Sequence, residues 1–166
     1  MQNELRSVLE YKTFVNRVPI WDLEFHPWQK FAKKRFAVGV EFLKLTDKER
    51  ELQIGINAEV ISEVSTKLHF SGVTAPGGYW ETAPGDPAFF WLPPEYRWKQ
   101  IAYIREMLPK NIMTVAITGG VMAIPGASEY VEFSYKLFDA PDEVDAIARK
   151  RLDGGLELMK KAKEAG

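Results

Sequence analysis

The stretch "WDLEFHPW" sets Asp22, Glu24 and His26 on alternate positions. An extended backbone would direct all three to one side, because successive strand side chains point to opposite faces. Two carboxylates and an imidazole on one face make a general acid/base set or an oxygen- and nitrogen-rich metal site. The plainer alternative pairs Asp22 and Glu24 with the cations Lys33, Lys34 and Arg35 and leaves His26 to shape the turn before Pro27. A second group is aromatic. In "TAPGGYWETAPGD", Gly77 and Gly78 let the chain turn sharply and present Tyr79, Trp80 and Glu81. Aromatic walls around one acid suit an organic ligand with an amine or a hydrophobic ring. Alternatively Trp80, Phe89, Phe90 and Trp91 pack as a satellite core. A third stretch, "TGGVMAIPG", offers backbone amides near Thr118, Gly119 and Gly120 to an anion. It has neither a P-loop lysine nor G-x-G-x-x-G order, and two glycines at a strand end also serve simply to turn the backbone closely.

These groups need a scaffold, and the composition bounds it. A chain of 166 residues with 46% hydrophobic residues can bury one core, so a single domain over residues 1–166 is expected. Lysine and arginine total 22 against 23 acids, a net charge of −1, which gives no broad basic field for a nucleic-acid backbone. The absence of cysteine excludes disulfides, thiolate nucleophiles and cysteine-ligated metal within these residues. Nowhere do about 18 apolar residues run consecutively, so neither a signal peptide nor a membrane partner is expected, and a cytoplasmic address fits.

Three short apolar runs read as strands: Arg17–Trp21, Phe70–Pro76 and Ile112–Thr118. Their β-branched content and lack of alternation suggest burial on both faces. Before them, Leu5, Val8 and Leu9 have helical spacing. A longer helix starts at "TDKE", where Thr46 can cap and Glu49 reciprocate, and Ile56, Val60, Val64 and Leu68 then recur every four residues to pack on a sheet. Another runs from about Pro94 to Leu108, with prolines suited to its first turn. "GASEYVEFSYKLF" reads as a shorter helix, and the segment from Pro141 as a last one, with acids in its first turn and lysines at its far end. Strand, loop and helix in alternation imply parallel strands with helices outside.

The opening "RSVLEYKTFVNRVPIWD" resembles the start of the uroporphyrinogen decarboxylase superfamily. So do "INAEVISEVSTKLHFSGVTAPGGYWE", similar to its second helix and strand, and "VAITGGVMAIPGASEYVEFSYKLFDAPDEVDAIARKRLDGGLELMKKAKEAG", similar to its third strand and following helices. The resemblance holds in order and spacing over nearly the whole chain and implies an α/β fold: a partial (β/α)8 TIM barrel, the first three β/α units with an N-terminal helix. In such barrels the chemistry sits at the C-terminal strand ends. That places Trp21, Thr74, Tyr79, Trp80, Glu81, Thr118, Gly119 and Gly120 as substrate-binding positions and Asp22, Glu24 and His26 as candidate catalytic ones.

The chain departs from the decarboxylases at two places. Their arginine-rich loop after the first strand is replaced by Asp22, Leu23, Glu24, Phe25 and His26, and carboxylates repel a polyanionic substrate that arginines would clamp. Thr74, Ala75 and Pro76 stand where the decarboxylases carry an aspartate. The resemblance therefore implies the methyltransferase-like branch. There, methyl transfer from a small organic substrate uses zinc and a corrinoid or thiol acceptor in the complete enzyme, and the zinc ligands lie beyond the part this chain resembles. On this reading the chain alone binds no cofactor, is inactive, and associates with a complementary C-terminal half or with its own copies. The alternatives are a decarboxylase-type lyase or a non-catalytic ligand-binding or partner subunit.

Overall fold

The computed structural model describes residues 4–10, 17–77 and 90–165. The chain divides into two compact units, Met1–Ile117 with Ala165–Gly166, and Thr118–Glu164.

In the first unit, helix α1 spans Glu4–Leu9, and two short helices, α2 (Trp28–Phe31) and α3 (Gly39–Leu43), lead to the long α4 (Asp47–Lys67). The expected capping box starts α4. Thr46 accepts from the Glu49 N–H while the Glu49 carboxylate accepts from the Thr46 N–H, so two donors that a helix start leaves open are satisfied reciprocally. Its far end closes as a Schellman turn. Phe70 N–H bonds to the Ser65 carbonyl (2.9 Å) and His69 N–H to that of Thr66 (3.2 Å), with His69 at φ 57° where glycine is usual. His69 is exposed at this helix end.

Strand β1 (Gly72–Ala75), helix α5 (Pro94–Met107) and strand β2 (Met113–Ala116) follow. The strands pair in parallel, Gly72 opposite Met113 through Ala75 opposite Ala116. The core joins Ala58, Val60, Ile61 and Val64 of α4 to Ile101 and Ile104 of α5 and to Val73 and Ala75 of β1. Of the stripe expected on α4, Val60 and Val64 are buried and Ile56 and Leu68 only half-buried, because Gln53, Ile54, Asn57, Ile61 and Ser65 share the packed face.

The expected partial barrel of three β/α units does not form. The described residues hold a two-stranded sheet and one β-α-β unit, and the rest of their regular structure is helical. The expected first strand, Arg17–Trp21, is not one. Its Ile20 carbonyl accepts a bond from Ser71 N–H (2.7 Å), but the Ile20 N–H goes to the Ser71 hydroxyl (3.3 Å) and Pro19 has no N–H, so no ladder propagates. Nor is the far face of β1 open as a barrel interior would be. A Cβ on Gly72 would lie 2.5 Å from Leu5 Cδ2 and 3.5 Å from the Trp21 ring, so α1 and Trp21 already cover that face.

The second unit pairs α6 (Tyr130–Asp139) with α7 (Pro141–Glu164). Among the described residues no helix is long and apolar enough to cross a membrane.

Candidate functional site

Strand alternation sorts β1. Val73 and Ala75 enter the core shared with α4 and α5, whereas Gly72 lies against Trp21, and Thr74 on the same face binds it. The Trp21 indole N–H donates to the Thr74 hydroxyl at 3.1 Å. Two residues chosen from sequence as ligand-facing are thus brought together, 53 positions apart in the chain.

Where β1 ends, its carbonyls would be left without ladder partners, and buried side chains take them. Gln100 Nε2 donates to the Pro76 carbonyl and the Trp28 indole N–H to that of Gly77, both at 2.6 Å. Behind Gln100 stands a fully buried amide. Asn57 Nδ2 donates to Gln100 Oε1 and to the Ala37 carbonyl (both 2.8 Å), while Asn57 Oδ1 accepts from Ala37 N–H (3.0 Å) and Gln53 Nε2 (2.9 Å). Every bond an asparagine side chain offers here finds a partner, the condition under which a buried polar group stabilises instead of costing. The strand end is therefore held rigidly by α2, α4 and α5.

An aromatic cluster lies against this end. Phe90 touches the position a Cβ of Gly77 would take, at 2.9 Å, and only a glycine, here at φ 147°, admits that approach. The His26 ring stacks on Phe90 with centroids 5.1 Å apart, and Phe36 leans on Phe90 from 5.2 Å. Phe25 meets Trp28 edge-on at 4.6 Å. His26 Nε2 is buried and has no hydrogen-bond partner among the described residues.

Asp22, Glu24 and His26 do not share a face. The backbone turns at Leu23 and Glu24, and the Asp22 carboxylate accepts from Glu24 N–H at 3.0 Å, closing its own local turn. Asp22 and Glu24 are exposed. Two of the three cations proposed to neutralise them are engaged elsewhere: Lys34 pairs with Glu59, and Arg35 with Glu41 at 2.6 Å. Among the described residues no three metal-ligating side chains converge. Tyr79, Trp80, Glu81 and Phe89 lie outside the described residues. Of the other members of that aromatic group, Phe90 is buried and Trp91 half-buried.

Thr118, Gly119 and Gly120 belong to the second unit. There the glycines are used in packing. A Cβ on Gly155 of α7 would meet Gly119 O and Gly120 Cα at 2.5 Å each, and Gly120 has φ 117°. This backbone-to-backbone approach accounts for Gly120 and Gly155, whereas a Cβ on Gly119 would meet nothing within 4 Å.

Sequence reasoning passed over Trp28, Asn57 and Gln100. Their signal was faint but present: Gln53 and Asn57, four apart, interrupt an apolar helix face, and Gln100 stands directly before Ile101. Compared with protein-family models, with curated proteins and with solved structures, the chain matches none.

Proposed function

We propose that the chain binds a small organic molecule at the C-terminal end of β1, with the Trp21–Thr74 pair and the His26–Phe90 stack as its walls. One observation carries this reading: His26 Nε2 is buried against an aromatic ring and has no hydrogen-bond partner among the described residues. A buried polar atom left unsatisfied costs about 1–3 kcal/mol, and native structures seldom accept that without a use. A ligand with a flat apolar body and one hydrogen-bonding group would satisfy the imidazole while stacking on Phe90. The resemblance to the uroporphyrinogen decarboxylase superfamily extends the reading to methyl transfer, with this chain holding the small methylated substrate and with the zinc and methyl acceptor held by residues outside this sequence.

The test is an NMR screen of methylated amines, thioethers and methoxylated aromatics, read on the indole N–H resonances of Trp21 and Trp28. A binder is expected to shift both, and His26→Phe, which keeps the stack and removes the nitrogen, should weaken it about tenfold, the worth of one buried hydrogen bond. Unchanged affinity in that variant, or no binder at all, would overturn the reading.

A non-catalytic partner subunit is the second reading, favoured by the apolar side chains that the second unit exposes, Val131, Tyr135 and Phe138 of α6 among them. A monomeric mass by light scattering at micromolar concentration would count against it.

A further inference from the structure

At the opposite end of the sheet, a cavity of about 440 Å³ opens beside the start of β2. Three cations line it from three places in the fold: Arg6 of α1, Arg105 in the last turn of α5, and Lys110 in the turn before β2, with Thr114 of β2 beside them. No carboxylate lines it among the described residues, although acids and bases are nearly balanced over the chain. Arg105 and Lys110 pair with no acid among the described residues, unlike Arg17, Lys34, Arg35, Lys44, Arg50 and Lys99 and like the scattered Lys30, Lys33, Lys48 and Lys67, but only these two unpaired cations share a cavity wall.

Like charges gathered around one concavity repel, and low-dielectric walls focus their field outward on whatever enters. A dianion offsets that repulsion, and guanidinium groups meet its oxygens in paired hydrogen bonds. The negative end of α5 also attracts Arg105 and Lys110, but a helix end carries only about half a charge, confined to its last turn, against the two full charges of these side chains. The volume exceeds what a lone phosphate needs, and Leu108, Ile112 and Met113 supply an apolar wall. We infer that this cavity is a binding site for a phosphate monoester with a small apolar organic part, distinct from the site at the end of β1.

Phenyl phosphate and inorganic phosphate serve as the two probes, titrated into the whole chain while the Met113 methyl and Thr114 amide resonances are followed. Phenyl phosphate is expected to bind at least about threefold more tightly than phosphate, and both to weaken as salt screens the cations. In the double variant Arg105→Gln, Lys110→Gln, affinity should fall at least about tenfold. Both side chains are exposed, so the variant should fold, and its thermal midpoint and far-UV spectrum check this. Equal affinity for the two probes would overturn the organic part of the inference. No perturbation at Met113 and Thr114, or a double variant that binds as the parent does while only its midpoint falls, would overturn the site and leave the cations serving the end of α5.

Discussion

Helices α4 and α6 invert the usual relation between apolar patterning and burial. On α6 the apolar residues segregate sharply to one side, yet none of its residues is buried. On α4 apolar and polar residues are mixed around the axis, yet Ile54, Ala58, Val60, Ile61 and Val64 are completely buried, together with Asn57 and Ser65. The reason lies in what each helix packs against. Helix α4 touches α5, α2 and the core around β1, so polar groups on its face are accommodated by built partners such as Gln100 and the Ala37 backbone. Helix α6 packs within its unit against α7, whose own buried positions are Val144 and Gly155. An apolar stripe states what a helix can bury, and neighbouring elements decide whether it does.

If the first unit carries the stability, truncations there should dominate. Ile104 is 0% exposed and Phe138 is 89% exposed. Ile104→Ala should therefore cost about 2–5 kcal/mol in chemical denaturation, through lost transfer energy and a cavity, while Phe138→Ala stays within about 0.5 kcal/mol. Amide exchange sharpens the contrast: α4 should exchange through global unfolding and α6 through local opening. Equal protection of the two helices would break the comparison.

Asn57→Ala should rank next, at about 3 kcal/mol. It strands the Ala37 N–H and carbonyl and the Gln100 amide in a buried setting, and each such group costs about 1–3 kcal/mol before relaxation. Because Gln100 holds the Pro76 carbonyl, the Trp21 indole resonance should move as well, which a purely global loss of stability would not cause.

The second unit offers a sharper pair. Gly154→Ala meets nothing within 4 Å and should stabilise α7 by up to about 1 kcal/mol, the ordinary gain of alanine over glycine inside a helix. Gly155→Ala, one residue on, meets the Gly119–Gly120 backbone at 2.5 Å and should destabilise by about 1–3 kcal/mol. Opposite signs by thermal denaturation would confirm that approach; equal effects would refute it.

A modest effect belongs to the cap of α4. Thr46→Ala should cost about 1 kcal/mol at neutral pH. The Thr46 backbone N–H, and then its hydroxyl, hold the Glu49 carboxyl below its ordinary 4.5. A carboxyl depressed in the folded state contributes stability above about pH 4.5 and loses it as the pH falls through the lower folded value. The difference in thermal midpoint between parent and variant should accordingly narrow between pH 7 and pH 3.

Local signals set out much of this molecule without reference to its tertiary structure. Thr46 and Glu49 mark the start of α4, the Pro93–Pro94 step marks that of α5 and Pro141 that of α7, because caps and proline act within one turn of chain. Gly77 and Gly120 announced positions of unusual backbone, and both have positive φ. Which partners those elements meet was beyond local reading. The segment Arg17–Trp21 has the composition of a strand, but a strand exists only when a neighbour completes its ladder, and the Ser71 hydroxyl took the N–H that the ladder required. The alternation of Asp22, Glu24 and His26 presumed an extended chain, and the Asp22 carboxylate folded it into a turn. Conversely, the contacts of Trp21 with Thr74 and of His26 with Phe90 join positions far apart in sequence, which no periodicity encodes. Residue type determined what each side chain could bond to; only the packing of α1, α2, α4 and α5 about a two-stranded sheet decided which of those bonds were made, because a buried polar group takes whichever partner the fold brings within reach.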